Sequence, residues 1–322
     1  MGKISDLMRN YPKAELSRTP TPIHKLSRIS KYLGYNIYIM RDDLTGFGLG
    51  GNKTRKLDYI IGDAIAKKAD ILISKKASSF TRNAAVAGKI FGFEVHIVIP
   101  GIEKEHNQAS RDFFKQFGAN LHYTEDKNEE NFEKKYLEIV QSLKKSKKNI
   151  YELHPGGSDS IGALGYLNAF QEINEYSEKN NIHFDSTIHA TGSTGTQAGL
   201  ILGQCISKYN TNNIGIAVSQ KAEVQKKRIF NLTNETAKML KVHFDESLIK
   251  VDDRFIGPGY AIPSEEGNNA VKIFSQMEGV MLDYVYTAKA AAGLIFYAKN
   301  NLFNKNDNIL FIHTGGNSGF YY

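Results

Sequence analysis

Along most of the chain, short apolar runs alternate with segments whose apolar residues have helical spacing. This alternation limits the folds that the chain can adopt. The apolar runs have the length and the β-branched content of buried strands. They lie at 36–41, 70–74, 94–99, 119–123, 186–190 and 308–313. The helical segments lie at 54–68, 81–92, 108–117, 129–145, 196–207 and 286–299. Strands that alternate with helices predict an α/β fold, in which helices cover both faces of a parallel sheet.

Length and composition narrow the class of protein. A chain of 322 residues is too long for one compact core, which predicts two domains. No apolar run is long enough to span a membrane, and the first residues lack the apolar segment of a signal peptide. Cys205 is the only cysteine, so no internal disulfide can form, which fits a reducing compartment. We therefore expect a cytoplasmic protein with no membrane partner.

The formal net charge of +7 raises the question of a nucleic-acid partner. The lysines fall in solvated clusters such as 144–148, and no nucleic-acid-binding motif accompanies them, so we expect no such partner. A mildly basic surface also attracts anionic substrates and phosphorylated cofactors. The nine histidines show no metal-ligand spacing with acidic residues, and we therefore predict no metal site.

A glycine-rich loop at 48–53 joins a predicted strand to a predicted helix and ends in Lys53. Glycines in such a loop permit positive φ angles and the close approach of a ligand. Ligands of parallel α/β sheets bind beyond the carboxyl ends of the strands, which is where this lysine lies. Lys53 is thus a candidate for Schiff-base chemistry, which needs a lysine of lowered pKa. A glycine-rich turn with a solvent-exposed lysine has the same pattern.

The segment 190–199 also lies between a predicted strand and a predicted helix. Its backbone N–H groups, its hydroxyl side chains and the following helix dipole are suited to hold a phosphate. It matches neither a P-loop nor the G-x-G-x-x-G fingerprint of dinucleotide sites. So short a segment suits a monophosphate, such as that of pyridoxal phosphate. The alternative is a helix N-cap that happens to be rich in hydroxyls.

Taken in order, these motifs resemble those of the fold-type II pyridoxal-phosphate enzymes. The resemblance is to the 1-aminocyclopropane-1-carboxylate deaminase and D-cysteine desulfhydrase family, and it runs nearly from end to end. The segments that carry it are 19–23, 41–57, 190–199, 257–260, 283–287 and 313–316. It implies a tryptophan synthase β-like α/β fold with two doubly wound parallel-sheet domains. Residues 1–53 and 161–322 then form the large cofactor-binding domain, and residues 54–160 form the small inserted domain.

The resemblance also implies a role for each site residue. Lys53 carries pyridoxal 5′-phosphate, Lys56 helps to hold its phosphate, and Thr287 and Thr314 flank the pyridine ring. The catalytic residues are Lys53, Ser78 and Tyr286. The cofactor-binding residues are Lys53, Lys56, Ser79, Thr191, Gly192, Ser193, Thr194, Gly195, Thr196, Thr287 and Thr314. The substrate-binding residues are Ser78, Ser79, Phe80, Tyr260 and Tyr286.

Some positions bear on the subtype and on departures from the family. The deaminases have Glu and Leu where this chain has Thr287 and Thr314, whereas the desulfhydrases have hydroxyl residues at both sites. The loop 77–80 reads Ala-Ser-Ser-Phe, where the family usually has Gln-Ser-Asn followed by His or Gln. Lys75 and Lys76 replace small residues, and Tyr284 replaces a usual proline. A retuned substrate pocket explains this pattern, as does drift in a degenerate paralogue.

These expectations combine into one functional hypothesis. The resemblance implies a pyridoxal-phosphate-dependent lyase that converts a small amino acid to a 2-oxo acid and ammonia by β-elimination, in the manner of a D-cysteine desulfhydrase. Alternatives with the same cofactor are β-replacement, racemisation of an unusual amino acid, or deamination of aminocyclopropane carboxylate. A non-catalytic cofactor-binding protein is a further alternative, disfavoured because Lys53, Ser78 and Tyr286 are retained together. We expect a homodimer.

Overall fold

The computed structural model describes residues 2–48 and 50–316, and its strands form two separate sheets. The strands are β1 (Ile23–Lys25), β2 (Asn36–Arg41), β3 (Ile71–Lys75), β4 (Glu94–Ile99), β5 (Asn120–Tyr123), β6 (Ile150–Leu153), β7 (Ser186–Thr191), β8 (Asn212–Ala217), β9 (Lys250–Asp252) and β10 (Asn308–His313). The α-helices are α1 (Gly2–Met8), α2 (Ser27–Leu33), α3 (Asn52–Ala66), α4 (Ser79–Phe91), α5 (Gln108–Gln116), α6 (Glu129–Lys145), α7 (Ser160–Asn180), α8 (Gly195–Ser207), α9 (Ala222–Leu240), α10 (Glu265–Glu278) and α11 (Thr287–Lys299). No α-helix in this described part of the chain is long and apolar enough to cross a membrane.

The larger sheet has the strand order β1-β2-β10-β7-β8-β9. Phe311 of the interior strand β10 pairs with Ile39 of β2 and with Ile188 of β7, and all three side chains are fully buried. Such apolar, partly β-branched strands suit a sheet that is covered on both faces. Strand β1 runs antiparallel to β2, which corrects the expectation of a wholly parallel sheet. Only residues 26–35 join these strands, fewer than the dozen or so that a parallel crossover needs.

The smaller sheet has the order β5-β4-β3-β6 and is parallel throughout. Its core includes Leu57 and Ile60 of α3, Phe80 of α4 and Ile97 of β4. All four of its strands fall inside the range 54–160 expected for a small domain. The boundaries of the two domains themselves stay a prediction.

Helix α3 is tied to the larger sheet by a buried ion network. The Arg55 guanidinium lies 2.8 Å from Asp42 Oδ1 and 2.7 Å from Glu172 Oε1, and all three side chains are buried. The Tyr166 hydroxyl donates a 2.5 Å hydrogen bond to the other oxygen of Asp42. Asp42 follows β2, whereas Glu172 and Tyr166 belong to α7. The network therefore fixes the helix that carries Lys53 relative to both β2 and α7.

Candidate active site

A cavity of about 330 Å³ opens where the chain leaves the carboxyl ends of strands from both sheets. Loops that follow β2, β3, β7, β8 and β10 contribute to it, as expected for a ligand site in parallel α/β architecture. The predicted residues that line it are Lys53, Ser78, Ser79, Phe80, Thr191, Gly192, Ser193, Thr194, Thr196, Tyr260, Tyr286 and Thr314. Segments far apart in sequence thus meet at one surface. Leu49, within the predicted glycine loop, lies outside the described residues.

Lys53 lies in the first turn of α3, directly after the glycine-rich loop. Gly51 immediately precedes the helix with a φ of 90°, and a Cβ there would lie only 3.0 Å from the carbonyl oxygen of Thr314. The loop can therefore pass this close to the end of β10 only with glycine. The Lys53 Nζ donates hydrogen bonds to Ser193 Oγ at 3.0 Å and to the Gly156 carbonyl at 3.4 Å. Burial lowers the pKa of Lys53 to about 8, so a nucleophilic neutral amine is accessible near neutral pH.

A second lysine lies against the same oxygen atoms. Lys56 is fully buried, and its Nζ donates to Gly156 O at 3.1 Å, Ser158 Oγ at 3.2 Å and Ser193 Oγ at 3.4 Å. Burial, followed by the nearby charge of Lys53, holds the pKa of Lys56 well below its usual range. Lys56 does not itself line the cavity, and it lies directly behind the hydroxyl of Ser193. Two amines that share neutral oxygens are stabilised as cations when an anion binds beside them.

The phosphate loop predicted at 190–199 has the geometry of an anion-binding nest. Thr194 takes a left-handed backbone with a φ of 72°, immediately before α8 begins at Gly195. Backbone N–H groups in such a turn, together with the start of α8, present positive partial charge. A Cβ on Gly195 would lie only 2.8 Å from Lys56 Nζ, so this glycine lets the lysine approach the nest although it does not line the cavity. The donors fit a monophosphate, and the adjacent Lys53 amine fits an aldehyde on the same molecule.

Ser78 has a structural partner as well as a place in the cavity wall. It is the N-cap of α4, where its Oγ accepts a 3.2 Å hydrogen bond from the backbone N–H of Thr81. The Ser78 N–H in turn donates to Thr81 Oγ1 at 2.7 Å, which completes a capping box. Ser79 follows at the cavity surface and begins α4. The Phe80 ring is 1% exposed and packs into the core of the smaller sheet, although the residue also borders the cavity.

Tyr286 and Tyr260 close another side of the cavity, and their hydroxyls lie 2.5 Å apart. Tyr286 precedes α11, where the Asp283 carboxylate accepts backbone N–H groups of Val285 and Tyr286, each at 2.9 Å. The loop that carries Tyr260 is held by the buried Lys289, whose Nζ donates to the carbonyls of residues 256 and 259 at 2.7 and 2.8 Å. Burial, then the nearby Tyr260, raises the pKa of Tyr286, which keeps its hydroxyl protonated.

Thr314 and Thr287, the two threonines expected beside the pyridine ring, differ in whether they border the cavity. Thr314 borders the cavity at the end of β10. Thr287 does not: it is fully buried, and its Oγ1 donates to Asp283 Oδ1 at 2.7 Å and accepts from the Asp283 N–H at 2.8 Å. Its hydroxyl therefore stabilises the start of α11, next to Tyr286. The sequence shows Thr287 as a hydroxyl beside a tyrosine and does not show which way that hydroxyl points.

Several residues at the cavity were not predicted from the sequence. Asn52 lines it and donates from Nδ2 to Thr196 Oγ1 at 3.1 Å, which ties the lysine loop to the phosphate nest. Asn83 of α4 donates to the Gly50 carbonyl at 3.3 Å and so braces the same loop. Arg228 of α9 also lines the cavity. The sequence does not predict a role for Arg228, because it shows an amphipathic helix without showing which loop that helix faces.

Within residues 2–48 and 50–316, no cluster of His, Cys, Asp and Glu is arranged to hold a metal ion.

Comparison with known proteins identifies the family of this chain. The family model described as pyridoxal-phosphate dependent enzyme matches residues 14–315. The chain belongs to this family. Pyridoxal phosphate is therefore its cofactor, and the α/β prediction of fold-type II is confirmed. The nest, Lys56 and Lys53 are the residues of the chain that fit the phosphate and the aldehyde of this cofactor.

The curated relatives and a solved structure cover nearly the whole chain. A Pyrococcus furiosus protein, named provisionally as a 1-aminocyclopropane-1-carboxylate deaminase, is 37% identical over 99% of this chain and 96% of its own length. The D-cysteine desulfhydrase of Yersinia enterocolitica is 36% identical over 96% of this chain and 95% of its own. A crystal structure of a 1-aminocyclopropane-1-carboxylate deaminase homologue superposes with a TM-score of 0.89, at 37% identity, over 99% of this chain and 96% of that one.

Proposed function

We propose that this enzyme eliminates the β-substituent of a small amino acid and releases a 2-oxo acid and ammonia, as a D-cysteine desulfhydrase does. The observation that carries the proposal is the meeting of Lys53, Ser78 and Tyr286 at one cavity, with the Lys53 pKa lowered to about 8. An amine with that pKa can both hold an aldehyde cofactor and take up a proton near neutral pH.

The residues divide into holding and proton-handling groups. Lys56, the Ser193 hydroxyl and the nest at 192–196 hold the phosphate, while Lys53 holds the aldehyde end. Bound pyridoxal phosphate supplies an electron sink for the electron pair left on the α-carbon. With the cofactor bound, Lys53 would be the base for the α-proton, and Ser78 would orient the substrate at its carboxylate. Tyr286 lines the cavity with its hydroxyl protonated, and it could give a proton to a departing group.

The make-up of the cavity favours elimination over ring opening. None of the cavity-lining residues in the described ranges is Asp or Glu, so none of them would supply a carboxylate to keep the pyridine nitrogen of a bound cofactor protonated. Thr314 stands at the wall instead. A neutral ring is a weaker electron sink, which suffices when the leaving group is good and serves less well for opening a cyclopropane. This observation supports the desulfhydrase-like reaction over deamination of aminocyclopropane carboxylate.

The location and assembly of the enzyme are part of the same proposal. We propose a cytoplasmic homodimer, on the single unpaired cysteine and on the family resemblance. Light scattering of the purified protein tests the assembly: a mass near twice that of the 36.0 kDa chain supports the dimer, and the mass of one chain contradicts it.

The reaction is tested by product analysis of the purified holoenzyme. It is incubated separately with D-cysteine, L-cysteine, D-serine and aminocyclopropane carboxylate, and 2-oxo acid, ammonia and sulfide are measured. Elimination from cysteine takes up one water and releases one each of pyruvate, ammonia and hydrogen sulfide. We expect equal yields of these products from one cysteine enantiomer. Racemised amino acid without ammonia, or a substituted amino acid when a thiol is added, would instead establish racemisation or β-replacement.

A further inference from the structure

The cavity is more basic than its cofactor and a simple amino acid require. Its lining includes Lys53, Lys75, Lys76 and Arg228, and no Asp or Glu in the described residues borders it. Lys53 is committed to the cofactor. The Lys75 charge is already compensated, because its Nζ lies 2.5 Å from a Glu133 carboxylate oxygen. Arg228 and Lys76 remain, and neither has a role in the reaction proposed above.

Arg228 reaches the cavity from α9 and touches only neutral acceptors. Its Nη1 lies 3.4 Å from the Gly192 carbonyl oxygen and 3.4 Å from Gln225 Oε1. Among the described residues, no carboxylate lies within ion-pair distance of its guanidinium. Arginine presents a planar fork of donors that matches the oxygens of a carboxylate, sulfonate or phosphate. An exposed, uncompensated guanidinium beside the phosphate nest is thus suited to bind an anion.

Lys76 approaches from the other sheet, after β3 and two residues before Ser78. Its backbone has a φ of 63°, in the left-handed region that a non-glycine residue seldom adopts. Its Nζ lies 3.3 Å from Glu129, and the two side chains are 53% and 70% exposed. An ion pair as exposed as this one contributes about 0–1 kcal/mol, so a bound anion can readily replace the glutamate.

We propose that Arg228 and Lys76 bind a second anionic group, carried on the side chain of the amino-acid substrate. Among amino acids that can lose a β-substituent, the preferred class is then one whose substituent carries a carboxylate, sulfonate or phosphate, and cysteine is a substrate that lacks this contact. Arg228 on α9 and Lys76 in the β3–α4 loop line the same cavity, the first from the part of the chain that carries the larger sheet and the second from the end of a strand of the smaller sheet. This inference rests on the proposed binding of an amino acid in this cavity.

The test compares O-phosphoserine with serine, in both enantiomers, as ligands of the holoenzyme. Dissociation constants are measured from the change in the visible absorbance of the bound cofactor. We expect O-phosphoserine of one configuration to bind at least about tenfold more tightly than serine, and Arg228→Gln or Lys76→Gln each to remove about tenfold of that preference. Because the contacts are exposed ionic ones, the preference should also fall as salt is raised.

Matched controls are available at two other exposed lysines. Lys227→Gln removes one exposed charge from α9 at a residue that does not line the cavity. Lys147→Gln removes one exposed charge from the loop between α6 and β6, at a lysine with a φ of 60°, close to that of Lys76. Both controls should keep the preference for O-phosphoserine.

Three outcomes would overturn the inference. One is equal binding of serine and O-phosphoserine by the unmodified enzyme. Another is a loss in Arg228→Gln and Lys76→Gln that is the same for both ligands, which would place the two residues at the shared α-carboxylate or at the cofactor. The third is an equal loss in the control variants. Release of a 2-oxo acid is scored separately, so failure of the elimination with every amino acid is distinguishable from failure of this selectivity.

Discussion

At the scale of single residues, the site depends on side chains whose chemistry is set by what surrounds them. Lys53 and Lys56 are both lysines of α3, yet one opens onto the cavity and the other is buried behind it. For the two lysines, one residue type has two different environments, whereas the single hydroxyl of Ser78 has two tasks. It caps α4 and also faces the space where substrate binds. The first two predictions concern these residues.

The rate at which the apoenzyme takes up its cofactor covalently should follow the ionisation of Lys53. Burial lowers this pKa to about 8, and only the neutral amine attacks an aldehyde. The second-order rate constant, measured well below saturating cofactor so that it reports the free apoenzyme, should therefore rise with pH and reach half its maximum near pH 8. At pH 7 about a tenth of the amine is then neutral, compared with about one part in three thousand for an ordinary lysine. A half-maximum near pH 10 would show that Lys53 is not desolvated.

Ser78→Ala should lose both tasks of its hydroxyl, and Thr81 provides the control that separates them. In Ser78→Ala we expect kcat/KM to fall by about 10²–10⁴, as for other positioned groups, and stability to fall by about 1 kcal/mol through loss of the cap. Thr81→Val removes the reciprocal hydrogen bond to the Ser78 N–H but keeps the serine hydroxyl. It should lower the denaturation midpoint while leaving kcat/KM within about threefold of the unmodified enzyme. Similar losses of activity in both variants would mean that Ser78 acts only as a helix cap.

At the scale of elements, α3 owes its placement to a buried ion network rather than to apolar packing alone. Arg55 stands two residues after Lys53 and is bonded to carboxylates of two other segments. Buried charges are expensive to remove from water, so each member of the network depends on the others. The network is also what holds the reactive lysine at a fixed distance from the larger sheet.

Arg55→Met should therefore destabilise the protein strongly. It leaves Asp42 and Glu172 buried without their cation, and loss of one partner from a buried pair costs about 3–5 kcal/mol. Lys67→Met is the control at the end of the same helix, since Lys67 is the C-cap of α3 and its exposed side chain makes an i,i+4 pair with Asp63 worth about 0.3–0.5 kcal/mol. Urea denaturation of both variants measures the difference. A loss below about 1 kcal/mol in Arg55→Met would show that water or a shift in the carboxylates compensates for the missing guanidinium.

At the scale of the whole molecule, the sequence indicates the parts better than their arrangement. Strands β2, β4 and β10 and helix α6 have the bounds predicted from periodicity, because each has a clear apolar pattern. Helix α7 was not predicted, because its glycines, Gly162 and Gly165, lower its helical signal. They are explained only by packing, since a Cβ on Gly165 would lie 2.4 Å from the Arg55 carbonyl oxygen.

In the candidate site, too, local motifs were predictable from the sequence, whereas contacts between distant segments were not. The lysine loop and the phosphate nest were predictable because each is a local pattern of glycine, hydroxyl and lysine residues at a strand end. The approach of Arg228 to Gly192 and the inward turn of Thr287 toward Asp283 depend on how distant segments meet or how one side chain rotates. Neither contact can be predicted from the periodicity or from a local motif of the sequence.

The most direct test of the account is to locate the cofactor on the chain. The reconstituted enzyme is reduced with borohydride, digested, and its peptides are analysed by mass spectrometry. The account predicts one reduced pyridoxyl-phosphate adduct, on Lys53, which is absent from Lys53→Ala and present in the matched variant Lys67→Ala. An adduct on Lys56, on Lys289 or on another lysine, or no adduct on any lysine, would contradict it.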